Sequence, residues 1–543
     1  MIADVAQHPV RQALLKLWAP VPWMLEAAIV LQLGIGRYAE AGIVALLLLT
    51  NTALGFFQEG RAQATLDALK SRLALVASVR RDGSWTKIPV SSLVVGDVVK
   101  LSLGCVVPAD IRLDEGSVPV DQSMLTRESI PVEGGPAFDA LAGALIRRGE
   151  AIGQVTATGA RTKFGRAAEL VGSAKVESSQ QKAILAVVRN LAIYNGGVTV
   201  LLTAYALWLP LPRDEIVPLV LVALLSSVPM ALPAMFTLAA AVGARALARQ
   251  GVLPTSLSAV DEAAGIDVLI ADKTGTLTRN ELVKALQADG HVVGMCGDGA
   301  NDAPALRQAQ MGVAVSTATD VAKSAAGIVL TEPGLTGVVA AVREGRITYQ
   351  RILTYTLRSL IHKVVQVMFL AMRLVMTGQA ILTPTPMVLR MVTGDVLAMS
   401  SSTDNVRPSP LPSVWHIGPM TIAGIVLGIV DLVFCVLCLA SGKFLLGLDT
   451  GTLRTLTVVT LVFGGQAVLY VARERRHFWS SKPGDWLLAS SAIDILIVSG
   501  LALHGWLMDP LPPLILGGLA VAALVFALVL DAVKALLVRS LRF

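Results

Sequence analysis

Ten runs of mostly apolar residues, most of them long enough to cross a bilayer, set the limits on what this chain can fold into. A helical span needs about 20 such residues. The runs lie at about 22–36 (the shortest), 39–57, 183–209, 216–248, 352–377, 381–401, 420–446, 453–471, 486–508 and 511–537. Hydrophobic residues make up 54% of the 543 and charged residues only 15%, with a mean hydropathy of +0.66, which excludes a soluble globular protein of this size. The reading is a multi-pass α-helical membrane protein of about ten transmembrane helices, with the lipid bilayer as its first partner.

The net charge of +6 fits basic cytoplasmic loops better than a nucleic-acid partner, and none is expected. Arg473-Glu474-Arg475-Arg476 and the tail residues Arg539 and Arg542 are the clearest such charges. By the positive-inside rule both termini and both long polar insertions belong on the cytoplasmic face of a cell membrane, plasma or inner. Arg11 and Lys16 interrupt the first twenty residues, so no cleavable signal peptide is expected. Of the four cysteines, Cys435 and Cys438 form a C-x-x-C inside an apolar run with no histidine beside it. They read as small residues on one helix face, and neither they nor Cys105 and Cys296 imply a disulfide framework.

The five segments are 1–57 with two spans, an insertion at 58–182, two spans over 183–248, an insertion at 249–349, and six spans over 350–543. The first insertion opens with a helical stretch at 63–73, then alternates apolar and polar residues around a hairpin turn at Asp82-Gly83, predicting a small β-rich domain. The second alternates apolar strand candidates at 268–271, 291–296, 311–315 and 327–330 with helical segments, predicting a Rossmann-like α/β domain. Directly after the first of these strands comes Asp272-Lys273-Thr274-Gly275-Thr276-Leu277-Thr278. Open α/β sheets bind their ligands outside the carboxyl ends of the strands. An aspartate there can act as a covalent nucleophile through an aspartyl-phosphate, with Lys273 offsetting phosphate charge. Asp298 and Asp302, on the Gly-rich turn Gly297-Asp298-Gly299-Ala300-Asn301-Asp302, supply the few carboxylates that Mg²⁺ takes beside phosphate and water.

The strings DKTGTLT and GDGANDAPAL resemble the phosphorylation and hinge motifs of P-type ATPases, and the resemblance runs in order from about residue 18 to 415. It implies a cytoplasmic actuator domain in the first insertion and a haloacid dehalogenase-like phosphorylation domain in the second, with Mg²⁺ as cofactor and ATP as substrate. It further implies Asp272 as phosphoryl acceptor with Lys273, and Asp272, Thr274, Asp298 and Asp302 around the metal. Thr276, Gly297, Gly299 and Asn301 would serve the phosphate and hinge. Glu128, in Thr126-Arg127-Glu128-Ser129, would position the hydrolytic water; the family has glycine where Arg127 stands, which predicts impaired dephosphorylation. The family also carries a nucleotide-binding domain between the two motifs. Here only residues 279–296 separate them, far fewer than the roughly 50 of a small domain. The phosphorylation domain is expected to be truncated, with a join near 279–282 and no recognisable home for adenine.

Ionisable residues inside spans are functional candidates. Thr393-Gly394-Asp395-Val396 and the run to Pro410 resemble the sixth span of plasma-membrane proton pumps, where an aspartate carries the proton beside an asparagine of the second span. Asp395 and Asn51 match these two, and the proton is the expected cargo. Pro229 and Pro233 break the ladder of the fourth span, and Met230 between them disfavours the calcium and sodium pumps. Lys363 could supply counter-charge, with Arg358 and His362 near it, whereas Arg390, Asp431 and Asp494 read as paired or snorkelling. Two other readings stay open: a catalytically inactive pump remnant or internally deleted variant with a regulatory or assembly role, and a membrane-bound phosphatase-like hydrolase.

Overall fold

The computed structural model describes residues 76–103, 105–122, 131–163, 179–212, 232–271, 279–299, 302–378, 399–506 and 508–541, with scattered positions elsewhere. They fall into two compact units, one built from Gln63–Ser178 and Ala244–Gly345, the other chiefly from Ser179–Gly243 and Arg346–Phe543.

Among the described residues the β-rich domain holds nine strands: β1 (Val76–Arg81), β2 (Ser84–Pro89), β3 (Val98–Ser102), β4 (Asp110–Gly116), β5 (Val118–Asp121), β6 (Val132–Gly134), β7 (Asp139–Ala140), β8 (Leu145–Ile146) and β9 (Glu150–Ala157). Six form a sheet in the order β2-β1-β3-β9-β4-β7, and three form β6-β5-β8. Alternation buries one face of each strand: Val79, Val99, Leu101, Ile111, Leu113 and Val155 meet in one core with Val118, Val120 and Ile146. The β1–β2 hairpin turns at Asp82 and Gly83, whose φ values of 50° and 78° suit a two-residue turn that matches strand twist. Arg81 grips Asp97 through two hydrogen bonds of 3.0 and 2.7 Å, and the bond from Arg81 holds the Asp97 carboxyl below its usual range. The helical stretch expected at 63–73 lies largely outside the described residues.

After α1 (Ser179–Trp208) and α2 (Leu232–Ala248), the α/β domain is built on a five-stranded sheet. Its elements are β10 (Val252–Pro254), α3 (Leu257–Glu262), β11 (Val268–Ala271), α4 (Arg279–Ala288), β12 (Val293–Gly297), α5 (Ala303–Gln308), β13 (Met311–Ala314), α6 (Asp320–Ala325) and β14 (Ile328–Leu330). The order is β10-β14-β13-β12-β11, with β10 antiparallel to β14 and the other neighbours parallel. The expected join at 279–282 is the opening of α4, which buries Val283 beneath it. A parallel crossover needs a dozen or more residues, and the segment between β11 and β12 meets that need without an inserted domain.

The helical unit continues with α7 (Thr336–Thr377), α8 (Ile417–Ala440), α9 (Thr450–Ala472), α10 (Asp485–His504) and α11 (Pro513–Leu541). Among the described residues six helices are long and apolar enough to span a membrane. The expected spans at 22–36, 39–57 and 381–401, and part of 216–248, fall largely outside them. α7 is one unbroken helix of 42 residues, starting well before the apolar run at 352. Nearly every residue of α9 is buried, and Phe434 of α8 stacks on Phe526 of α11 at 4.3 Å. Gly464 and Gly465 let polar chains reach α9: an added Cβ would meet Asp431 Oδ1 at 3.0 Å and His362 Cε1 at 3.4 Å. Asp494 does not snorkel; it is buried and accepts from Gln466 Nε2 at 2.7 Å.

The basic stretch after α9 is not a simple solvated loop. Arg473 is wholly buried and donates to both oxygens of Asp404 at 2.8 and 3.2 Å, and to the carbonyls of Asn405, Ser481 and Lys482. Asp404 also accepts from Gly484 N at 2.7 Å. Arg351, Arg346 and Tyr349 at the near part of α7 donate to the carbonyls of Asp404, Ser409, Pro410 and Val414. Removing one partner of a buried ion pair strands the other, at about 3–5 kcal/mol. Asp404→Ala is therefore expected to lower the thermal unfolding midpoint of the detergent-solubilised chain clearly, and Lys482→Ala, whose side chain is exposed, to leave it in place; equal midpoints would contradict the anchor.

Candidate functional site

The parallel register pairs Ile270 with Met295 and Ala271 with Cys296, so β11 and β12 end side by side. The next residue in the chain after Ala271 is Asp272, and after Gly297 it is Asp298. Asp298 is exposed, and its carbonyl accepts from Thr319 N at 2.8 Å, while Gly297 O accepts from Val315 N at 3.3 Å. The segment after β13 thus braces the turn that follows β12.

Asp302 is buried, and its Oδ2 accepts from the backbone N–H groups of Asp298 at 3.1 Å and Gly299 at 2.9 Å. The carboxylate folds back under the turn and fixes its shape. Only glycine fits at 297: an added Cβ would sit 2.7 Å from both Cβ and Oδ2 of Asp302. Pro304 in the first turn of α5 starts the helix directly after Asp302.

Mg²⁺ takes one or two carboxylates beside phosphate oxygens and water. The donor set fits that demand: Asp298 offers an exposed carboxylate beside the end of β11, and Asp302 orders the backbone that presents it. Cys296, behind them, is buried, and burial pushes its thiol up to about 11, so it contributes packing rather than a thiolate ligand.

Of the residues singled out in sequence, Gly297, Asp298, Gly299 and Asp302 are brought into this one turn. Pro233 lies within α2, and Lys363 is half-buried on α7. Asn51, Arg127, Glu128, Pro229, Asp272, Lys273, Thr274, Thr276, Asn301 and Asp395 lie outside the described residues. Beside Asp395 the described contact comes from Arg358, whose guanidinium donates to the carbonyl of Gly394 at 3.4 Å.

One buried acid escaped sequence reasoning. Asp261 of α3 is 5% exposed, and burial, with Glu262 beside it, pushes its carboxyl up to about 8. Its only signal was an acid pair amid Ala259-Val260 and Ala263-Ala264. From the unfolded value of about 3.9 up to about 8, the folded chain keeps a proton that the unfolded chain has lost, so stability falls as pH rises through that window. Asp261→Asn is expected to flatten this dependence, with its unfolding midpoint gaining on the wild type between pH 5 and 8; parallel curves would contradict it. Gly297→Ala is expected to lower the unfolding midpoint clearly, whereas Gly418→Ala, with open space around its added Cβ, does not; equal midpoints would contradict the packing under the turn.

Comparison with known proteins agrees with this geometry. Residues 71–172 match the P-type ATPase actuator domain, and residues 271–342 match haloacid dehalogenase-like hydrolases. The second match begins at the last residue of β11 and contains Asp298 and Asp302. A protein of Methanocaldococcus jannaschii named "putative cation-transporting ATPase" is 24% identical over 764 aligned positions, covering 100% of this chain and 95% of the relative. Those 764 positions exceed the 543 residues here by 221, so the relative carries that much sequence without a counterpart in this chain. The chain is thus P-type ATPase-like, combining that family's actuator domain with a haloacid dehalogenase-like hydrolase domain and homologous to a putative cation-transporting ATPase.

Proposed function

We propose that this protein is a P-type cation pump that forms an aspartyl-phosphate at Asp272 and exports protons, and that small phosphoryl donors serve it better than ATP. The observation that carries the reading is the pairing of β11 with β12, which ends both strands together with Asp298 exposed at the second end. A carboxylate oxygen of Asp272 attacks phosphorus, the bond from phosphorus to the donor's leaving oxygen breaks, and acetate leaves when the donor is acetyl phosphate. Lys273 offsets charge on the phosphoryl oxygens, with Thr276, Gly299 and Asn301 lining the phosphate. Bound Mg²⁺, held by Asp272, Thr274 and Asp298 with Asp302 beside them, would neutralise charge on the transferring group. Water then attacks phosphorus, Glu128 takes its proton, and phosphate leaves with the Asp272 carboxylate restored.

Transport is assigned to Asp395 with Asn51, and to the stretch with Pro229 and Pro233, whose missing N–H groups would leave backbone carbonyls for the cargo. A single carboxylate can carry a proton through a pKa shift alone. Arg358, bonded beside Asp395 at Gly394, joins Lys363 as a source of counter-charge. The preference for small donors rests on the 18 residues, 279–296, between the two motifs, far fewer than the roughly 50 of even a small nucleotide-binding domain. The positive-inside charge pattern supports cytoplasmic termini in a plasma or inner membrane.

Purified protein offered radiolabelled acetyl phosphate or ATP with Mg²⁺ tests this. Acetyl phosphate is expected to label the wild type and not Asp272→Asn, with ATP labelling at micromolar levels at background. Labelling by ATP at those levels would overturn the donor preference. No label from any donor would favour the inactive remnant, and turnover without proton movement would favour the phosphatase-like hydrolase. Arg127→Gly is expected to speed phosphoenzyme decay about tenfold or more, as removal of a misplaced catalytic-loop cation should; equal decay would sink that role.

A further inference from the structure

The helical unit carries a second cationic site, far from Arg473. Arg373 is 2% exposed, and its Nε and both terminal nitrogens are buried with no hydrogen-bond partner. It sits on α7 four residues after Phe369 and three before Met376, so the three share one helix face. Phe369 belongs to the same core cluster as Leu453 and Leu456 of α9, and Met376 packs against that cluster. Arg373 therefore lies along the α7–α9 seam. Arg454 follows Leu453 there; its Nε is also buried without a hydrogen-bond partner, and its charge lies within electrostatic range of Arg373. Lys443 adds a third cation by donating to the Met376 carbonyl.

Among the described residues at this end, none of the acids Asp449, Asp509 and Glu215, the last beside Ile216 in the cluster that holds Leu370 and Leu374, bonds the Arg373 guanidinium. Asp449 caps α9, accepting from Gly451 N at 2.9 Å, Thr452 N at 3.2 Å and Thr452 Oγ1 at 2.6 Å. Asp509 sets its carboxylate against Gly451 and accepts Thr455 Oγ1 on its carbonyl at 2.6 Å. A guanidinium cannot shed its charge, and a buried cation needs a counter-ion. Its planar fork matches the oxygens of phosphate in paired hydrogen bonds. At 1.5 Å per residue Arg373 is about 33 Å along α7 from Arg351, and about 6 Å short of the helix end. That separation is about one hydrocarbon thickness, so a bilayer spanned by α7 with Arg351 near one face would have Arg373 near the other.

We propose that Arg373 and Arg454 form a binding site for a phosphate-class oxyanion, either the phosphodiester of a phospholipid or free phosphate. The site is independent of phosphoryl transfer at Asp272. The full chain, delipidated in a nonionic detergent, would be titrated at constant ionic strength with inorganic phosphate in one arm and short-chain phosphatidylglycerol in the other. The thermal unfolding midpoint is followed in wild type, Arg373→Gln, Arg373→Lys and Arg454→Gln. A saturable rise in the wild type is expected in at least one arm. A rise with phosphate identifies the free anion as sufficient, and a rise with lipid alone identifies a headgroup. Arg373→Gln and Arg454→Gln should each weaken the half-saturating concentration about tenfold or more, and Arg373→Lys less. No saturable rise in either arm, or the same rise in wild type and both glutamine variants, overturns the proposal. Should Arg373→Gln fail to fold, Arg454→Gln alone decides by the same comparison.

Discussion

The parallel pairing of β11 with β12 is the constraint on which the α/β domain depends. It fixes where the chain leaves each strand, and so which residues can act together at the carboxyl edge. Asp302 then spends one carboxylate oxygen on two backbone N–H groups of the turn after β12, which only works because residue 297 has no side chain. The turn is held from below by Asp302 and from the side by the segment after β13. Asp298 is left exposed at the carboxyl edge. Helix α4 completes the β11–β12 crossover over a short stretch, so this arrangement needs no further domain to close.

The helical unit solves a different problem, that of hiding polar groups where water is scarce. Helix α9 is its axis. Thr457 and Thr460 turn their hydroxyls back onto the carbonyls of Leu453 and Leu456, and the Gly464-Gly465 pair admits Asp431 and His362. Gln466 bridges Ser491 and Asp494 on α10. At one end of α9, Arg473 satisfies its charge within the chain, through Asp404 and three carbonyls. At the other, Arg373 and Arg454 do not, which is the contrast that points to an external anion.

Much of this was legible in sequence because it rests on local pattern. The strands around Asp82-Gly83 follow from alternation, and the strand before Asp272 and the long spans from the length of their apolar runs. The turn at Gly297, Asp298 and Asp302 was legible as a Gly-rich turn carrying two acids, though not the arrangement that buries one acid and exposes the other. Arg473 read as a loop charge because its partner, Asp404, is 69 residues away and only folding brings them together. Arg373 and Asp261 were silent for a related reason. A lone charge in an apolar stretch carries no record of which neighbours will enclose it.

The central claim is that Asp272 itself accepts the phosphoryl group. Borohydride reduction of the enzyme quenched during turnover with acetyl phosphate and Mg²⁺ tests this directly, since an acyl phosphate is reduced to the alcohol while a free carboxylate is not. Mass spectrometry of the digested protein should find homoserine at position 272, dependent on the donor and on Mg²⁺. Reduction at any other aspartate or glutamate, or none at 272 in protein that turns over the donor, would contradict the account.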